Sequence, residues 1–363
     1  MSCKNVSEDL LKIKDQFIQN ALDAGFQQVG VTNLDLKNYR PYYEHWLKQH
    51  YHGEMDYMQR HFEKRLDPSL MVERAARVIS LRMDYLTDTN ERQIMPKLIA
   101  QSNKAYISRY ALGRDYHKVI RKRLAKLANN LSELAESTLN QRPFVDSAPI
   151  LERAFAEKAG LGWIGKNTML INKNAGSYFF LGEIITSLAL PIDEPEDQLH
   201  CGSCQACLDA CPTQAFVAPH QLDARKCISY LTIELKGAIP KALRPLIGNR
   251  VYGCDDCQIA CPFNKFTQQS SEMDFSPRHR LNDQTLLNLL TWDEMTFLTK
   301  TQGSPIRRIG YQRWVRNIAV GVGNAAFNHA HILELQRKLQ EDNLSEMAKE
   351  HIQWAIESQQ NKS

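Results

Sequence analysis

Eight of the nine cysteines lie between Cys201 and Cys261, and their spacing limits what this chain can be. The run opens as Cys201-Gly-Ser-Cys204-Gln-Ala-Cys207-Leu-Asp-Ala-Cys211-Pro212. Three thiolates two residues apart can wrap one iron–sulfur cube from a short loop, while the fourth, followed by proline, ligates a second cube. A partial copy lies downstream as Cys254-Asp-Asp-Cys257-Gln-Ile-Ala-Cys261-Pro262, with Cys227 supplying the missing first ligand from upstream. The spacing therefore pairs Cys201, Cys204, Cys207 and Cys261 on one [4Fe–4S] cluster, and Cys211, Cys227, Cys254 and Cys257 on the other. Zinc sites usually use two separated C-x₂-C pairs, not a run of four cysteines ending in proline. Disulfides need an oxidising compartment, and the residues Met-Ser-Cys-Lys-Asn-Val-Ser-Glu at the start contain no apolar signal region. Cys3 stands outside the pattern and reads as a plain thiol near a frayed terminus.

At 363 residues the chain exceeds what one core usually serves, so two or three domains are expected. The apolar stretch from Tyr178 to Leu190 is too short to span a bilayer and contains Glu183. With the cluster cysteines, this predicts a monomer of the reducing cytoplasm with no membrane partner. The net charge of +4 is mild but unevenly spread. Met295 to Leu333 contains no Asp or Glu, yet holds Lys300, Arg307, Arg308, Arg313 and Arg316. Gly237 to Gly253 is also acid-free and carries Lys241, Arg244 and Arg250. Such asymmetry suggests a polyanionic partner.

Ser7 reads as the N-cap of a helix with Leu10, Ile13, Phe17 and Ala21 at helical spacing, closed by Gly25. Phe26 to Val31, Arg77 to Leu81, Lys104 to Ser108, Phe144 to Asp146 and residues 178–190 have the composition of strands. Asp115 to Asn140 reads as a long helix whose basic first half, Lys118 to Lys126, is most simply a solvated face. Pro149 opens a further helix from Ile150 to Ala159. The fold class is therefore α+β, with an N-terminal α/β domain over 1–195 and a ferredoxin-like two-cluster domain over 196–270. The acidic, proline-containing stretch Pro191 to Leu199 is the expected linker. Residues 271–363 turn helical (Asp283 to Leu290, Trp292 to Lys300, Arg313 to Asn324, Ile332 to Ser358), like a short tail of HEAT-type helical repeats.

Gly160-Leu-Gly162-Trp-Ile-Gly165-Lys166-Asn167 matches both G-x-G-x-x-G and G-x-x-x-x-G-K. Both phosphate-binding motifs need a strand before and a helix after. Here a helical segment precedes, and Asn167 stands where Ser or Thr would hold magnesium, so neither motif is accepted. The glycines still mark backbone that turns tightly or approaches something closely. Asp146, at a strand end beside this loop, is a candidate general acid, with a helix cap or a partner for Arg153 as the plainer alternatives. Asp115-Tyr116-His117 begins a D-x-H-x-x-G cobalamin motif, but Ile120 stands where its glycine belongs, and His117 reads as structural.

The blocks Arg65-Leu-Asp-Pro68, Arg109-Tyr-Ala-Leu-Gly-Arg-Asp-Tyr-His117, Val145-Asp-Ser-Ala-Pro149, Glu157-Lys-Ala-Gly-Leu-Gly-Trp-Ile-Gly-Lys-Asn167, Cys227-Ile-Ser-Tyr-Leu-Thr232 and Tyr252-Gly-Cys-Asp-Asp-Cys257 resemble the epoxyqueuosine reductases. The resemblance implies a base-off cobalamin and two [4Fe–4S] clusters, and reduction of epoxyqueuosine to queuosine in a tRNA anticodon loop. It makes the N-terminal domain the cobalamin-binding one. It implies that Asp146 is the proton donor, that Lys166, Leu170 and Leu181 line the cobalamin, and that Asp115 and Tyr116 lie near the corrin. A low-potential electron donor would deliver electrons at the cluster of Cys211, Cys227, Cys254 and Cys257, taken as the more exposed of the two. The tRNA backbone would lie along Arg307, Arg308, Arg313 and Arg316, with Lys236, Lys241 and Arg250 nearer the anticodon. Tyr311 and Trp314 are expected to pack against neighbouring helices. A dehalogenase-type reductase, a ferredoxin-like carrier and an RNA-binding protein with structural clusters are the competing classes.

Overall fold

The computed structural model describes residues 3–196 and 198–362, with side chains from residue 8 onward; the thiol of Cys3 lies outside the described residues. The chain is a mixed helix-and-sheet protein built on one antiparallel sheet, in the order Gln28–Thr32, Arg77–Asp84, Phe179–Thr186, Gln141–Phe144. The two central strands are buried along nearly their whole length, with the polar residues Ser80, Arg82, Asp84 and Glu183 buried among their apolar ones. Their alternation sends Ile184 to one face and Ile185 to the other. The first face packs the helices Cys3–Asp23, through Phe17 and Ala21, and Tyr116–Leu134, through Ile120, Leu124 and Leu131. Gly182 permits this close approach: a Cβ there would lie 2.8 Å from Leu124 Cδ1. The short helix Glu152–Lys158 covers the second face, with Phe155 against Ile185.

The cluster region repeats itself in backbone as well as in sequence. Ala206–Asp209 and Asp256–Ile259 are one-turn helices preceded by Gln205 (φ −124, ψ 7) and Asp255 (φ −118, ψ 9), and they pack against each other. The second loop is tied to the sheet domain by a parallel pairing of Arg250–Tyr252 with Tyr106–Ile107. Buried Asp255 completes the joint, accepting from Tyr106 Oη (2.7 Å), Ser108 Oγ (2.5 Å) and the Arg109 backbone N–H (2.9 Å).

The C-terminal helices surround Gly310–Asn324, which packs on Glu346–Gln360. Their core also takes in Ala105, Ile107, Val251 and Tyr252, so apolar packing is continuous across the boundary expected near residue 270. Several local boundaries differ from the sequence reading. The first helix already begins at Cys3, so Ser7 is not its cap. The last expected helix is two, His329–Leu339 and Glu346–Gln360, because Ser345 starts a new one by accepting from Ala348 N–H at 3.3 Å. The strand before Asp146 ends at Phe144, and the Asp146 backbone takes a left-handed φ of 46°.

Replacing Asp255 by Ala strands two buried hydroxyls and a backbone N–H, at a cost of about 3 kcal/mol or more. Anaerobic thermal unfolding of the iron-loaded protein should show a lower midpoint together with reduced iron content. An unchanged midpoint would mean that the joint is carried by the strand pairing alone.

Candidate active site

Asp146 sits at the sheet edge in a backbone conformation that L-residues avoid, and surrounding groups must hold it there. Its N–H donates to Glu152 Oε1. Its Oδ2 accepts from Tyr116 Oη at 2.5 Å and from His117 Nε2 at 3.0 Å. The other ring nitrogen, Nδ1, lies 2.8 Å from Asp115 Oδ1, and the same oxygen caps the helix by accepting from His117 N–H. With a carboxylate at each nitrogen, the ring is a double donor, an imidazolium. Burial alone would lower the His117 pKa, but the bonds and charges of Asp115 and Asp146 outweigh it and raise it to about 9. For Asp146, burial favours the neutral form, yet His117 and Tyr116 hold the carboxyl below its usual range. The resting proton is therefore on His117. Tyr116 is fixed by stacking on Phe180, with ring centroids 4.1 Å apart and planes 7° from parallel.

His117 joins this constellation although the sequence reading took it as structural. Its signal was available: an aspartate at a helix N-cap whose side chain can reach the residue two further on, here a histidine. The Asp146 side chain is 55% exposed although protein surrounds its charge closely, as on the wall of an open cavity. Arg308 and Tyr57 act electrostatically on the same space. A cleft of about 550 Å³ runs from Asp115 and His117 along Lys118, Arg121 and Lys122. The basic half of that helix thus lines a groove beside Asp146, where only a solvated face was expected.

Leu170 and Leu181 join one small apolar cluster with Ala156, Ala159, Leu161 and Phe179. Lys166 Nζ donates to the carbonyls of Gly202 (2.7 Å) and Cys204 (2.9 Å), bracing the first cluster loop. The glycines near Gly160 serve a close backbone approach: a Cβ on Gly162 would lie 2.1 Å from the Ile171 carbonyl oxygen. The chain runs on from them into the hairpin Trp163–Ile164 with Leu170–Ile171, where a phosphate-binding motif would need a helix.

The thiols fall into two groups. Cys207 is within electrostatic reach of Cys201, Cys204 and Cys261. Cys257 neighbours Cys227 and Cys211, and Cys254 packs with Cys227 against one apolar cluster. Cys257 also senses Cys207, so the groups adjoin. Among the described residues no three side chains close to the spacing of a single ion; a cube holds its thiolates farther apart, at its corners. Burial pushes the Cys207 thiol up to about 11 and those of Cys254 and Cys257 well above the ordinary value, so loading iron must expel protons. Among the described cysteines the exposed one is Cys204, which runs against the expectation that the group of Cys211, Cys227, Cys254 and Cys257 is the more open one.

The basic residues divide sharply. Lys236, Lys241, Arg307 and Arg308 are exposed, with Arg308 bonded to Glu234. Arg313 is half-buried and donates to the carbonyls of Ile309, Ile233 and Arg308. Arg316 and Arg250 cannot reach a phosphate. Arg316 is 0% exposed and donates to the carbonyls of Leu231, Leu235 and Gly237. Arg250 is buried in an ion pair with Asp256. Tyr311 and Trp314 pack in the helical core, where Trp314 stacks on Trp292 at 5.7 Å.

The family model described as "Epoxyqueuosine reductase QueG, DUF1730" matches residues 65–147, and the "4Fe-4S double cluster binding domain" matches residues 200–264. An epoxyqueuosine reductase of Pseudomonas aeruginosa is 54% identical over 334 residues, covering 92% of this chain and 91% of the relative. Among solved structures, the epoxyqueuosine reductase of Streptococcus thermophilus superposes with a TM-score of 0.85 at 27% identity, over 97% of this chain and 91% of that one. An epoxyqueuosine reductase solved with an epoxyqueuosine-modified tRNA-Tyr stem loop gives 0.79 at 28% identity, over 97% and 100%. A double-cluster cysteine domain, an aspartate poised between a tyrosine and an imidazolium, and likeness along nearly the whole chain agree: this protein belongs to the epoxyqueuosine reductase family.

Proposed function

We propose that this chain reduces epoxyqueuosine to queuosine in the anticodon loop of tRNA, drawing electrons through two [4Fe–4S] clusters to a cobalamin. The observation that carries the reading is the constellation of Tyr116, Asp146 and His117, which holds a transferable proton at the mouth of an open cavity. Removing an epoxide oxygen as water consumes two electrons and two protons and leaves an alkene. Electrons arrive singly from clusters, so the proton source has to stay poised between transfers.

The residues present fit a large, partly apolar cofactor. Leu181 and Ile164 are only partly covered, and Leu181 shares a sheet face with Glu183, two residues along the strand. When bound, cobalamin supplies a low-valent cobalt able to pass electrons to the substrate. The chain itself controls the proton. A base settling over the cavity expels water from Asp146, which raises its proton affinity, and the Nε2 proton of His117 can then pass to Oδ2 and on to the departing oxygen. The second proton of the released water follows the same route after solvent reprotonates His117. Tyr116 keeps that oxygen aimed.

Cys201, Cys204, Cys207 and Cys261 form the outer cluster in this reading, and Cys211, Cys227, Cys254 and Cys257 the inner one. Support comes from the exposure of Cys204 and from the stronger desolvation of the Cys254 and Cys257 thiols. A low-potential donor would meet the outer cluster. We assign residues 1–195 to the cofactor and proton donor, 196–270 to the clusters and 271–363 to RNA support. The exposed cations left for phosphate contact are Lys236, Lys241, Arg307 and Arg308, joined by Lys118, Arg121 and Lys122 at the cleft.

Asp146→Asn should keep cofactor and iron while kcat on epoxyqueuosine-containing tRNA drops about 100-fold or more, read by the mass of the nucleoside. Full turnover with verified cofactor content would remove Asp146 from the reaction. RNA affinity should fall steeply between low and moderate salt, and Lys118→Ala with Lys122→Ala should flatten the slope by about two phosphate contacts. Salt-independent binding by the wild type would contradict the phosphate contacts. The His117 pKa is raised in the folded state, so its stabilisation is fully present below about pH 6.5 and lost as pH rises through about 9. Chemical denaturation across that window should show the wild type losing about 2–3 kcal/mol more than His117→Gln. Parallel curves would mean that the imidazolium contributes nothing to folding.

A further inference from the structure

Glu183 lies on the central strand Phe179–Thr186, is 0% exposed, and neither of its carboxyl oxygens meets an N–H or O–H donor from a neutral or cationic group. A bare carboxylate left so is strongly disfavoured, because nothing replaces the water it has lost. The hydrogen-bonding group that reaches it is another carboxyl, that of Glu152. Two carboxylates have no hydrogen to share, so the contact is a bond only when one of them carries a proton. The surroundings choose which. Burial and the Asp146 charge raise the Glu152 pKa to about 7, but the Asp146 N–H and the charge of Arg153 favour its anion. Of the two carboxyls it is therefore the one that gives up its proton first. The partners of Glu183 across the sheet are Ser80, uncharged and itself without a hydrogen bond, and Phe144. The cations on that sheet face are engaged elsewhere, Arg82 with Asp84 and the Phe179 ring and Arg142 over the Phe144 ring. The other charge reaching Glu183 is the anion of Asp146. Around Asp146 stand Tyr116, His117 and Arg308.

We infer that Glu183 is a positioning residue that works as a neutral acid: it donates a hydrogen bond to the Glu152 carboxylate, which accepts the Asp146 N–H and so holds the left-handed turn that aims the proton donor. This rests on the reading of Asp146 given above. Burial and the Glu152 charge push Glu183 well above the ordinary carboxyl range, in keeping with its neutral form. Losing its proton would set three anions side by side, at Glu183, Glu152 and Asp146. Their mutual repulsion would be relieved by the one that can move, the Asp146 turn at the sheet edge. The helix and the central strand carrying the other two are locked in the core.

The test is made on the iron- and cobalamin-loaded enzyme, by infrared spectra across pH and by kcat and KM against pH. The wild type should show the C=O stretch of a protonated carboxylic acid at pH 7, and Glu183→Gln should lack it. Wild-type kcat should fall as pH removes that proton, with KM for the RNA unchanged. Glu183→Gln donates the same bond through its amide and cannot ionise, so relative to its own neutral-pH value its kcat should not fall along that limb. Glu183→Ala should lose at least tenfold in kcat at every pH. Absence of the protonated band in the wild type at pH 7 would overturn the inference without any variant having to fold. A Glu183→Gln profile identical to the wild type would overturn it as well. Failure of the proposed reaction is a separate result: the wild type would not turn over, and the infrared band would still decide the state of Glu183.

Discussion

A buried carboxylate fastens the second cluster loop to the sheet domain beside the strand pairing of Arg250–Tyr252. Asp255 lies between two cysteines, Cys254 and Cys257, and takes three donors from the segment 106–109. A thiolate cage has little chemistry of its own with which to recognise a fold, so its position must come from the chain around it. Here the same stretch also carries Arg109, whose guanidinium pairs with buried Glu91 at 2.8 Å. A ring contact leads from Tyr110 to Tyr116, and Tyr116 bonds Asp146. Anchoring the loop and setting the proton donor are thus two ends of one short run of sequence.

The electrostatics around Asp146 follow a different logic from a carboxylic acid simply buried to keep its proton. Burial pushes toward the neutral acid, but Tyr116 and His117 push harder the other way, so the proton waits on the imidazole. That arrangement suits a site open to water before the RNA arrives. A protonated carboxyl would exchange with solvent in that state, whereas a histidine clamped by two carboxylates keeps its proton to about pH 9. Covering the site changes the balance, because desolvation acts on an ion pair and relaxes when the charges neutralise each other.

Much of this was legible in the cysteines, because cluster ligation fixes ligand number and spacing and leaves a rigid trace in sequence. The central strands were legible for another reason: their β-branched and aromatic residues cluster in short runs that pack well in a sheet. The role of Asp115-Tyr116-His117 was not. A failed match to a cobalt-binding pattern hid a local geometry, an N-cap aspartate two residues before a histidine, that needs no long-range information to read. Glu183 was seen only as a reason against a membrane span. Its meaning depends on Glu152, which is distant in sequence and meets it only once the 152–158 helix lies across the sheet.

The arginines show where composition misleads. An acid-free stretch with five cations looks like a phosphate-binding face when the only anions considered are side chains. Backbone carbonyls are the alternative acceptors, and a guanidinium presents five donors to them. Arg316 spends its donors on Leu231, Leu235 and Gly237, and Arg313 on Ile233, Arg308 and Ile309, tying the segment 231–237 to the helix Gly310–Asn324. That segment departs from regular helix, with a π-type turn at Tyr230–Glu234, and leaves carbonyls unpaired just where the arginines reach. The acid-free stretch thus serves the fold at Arg313 and Arg316, whose donors go to carbonyls, while Glu234 in the facing segment pairs with Arg308. Exposed Arg307 and Arg308, in the same stretch, sit beyond this irregular backbone and keep a surface that can meet an anion.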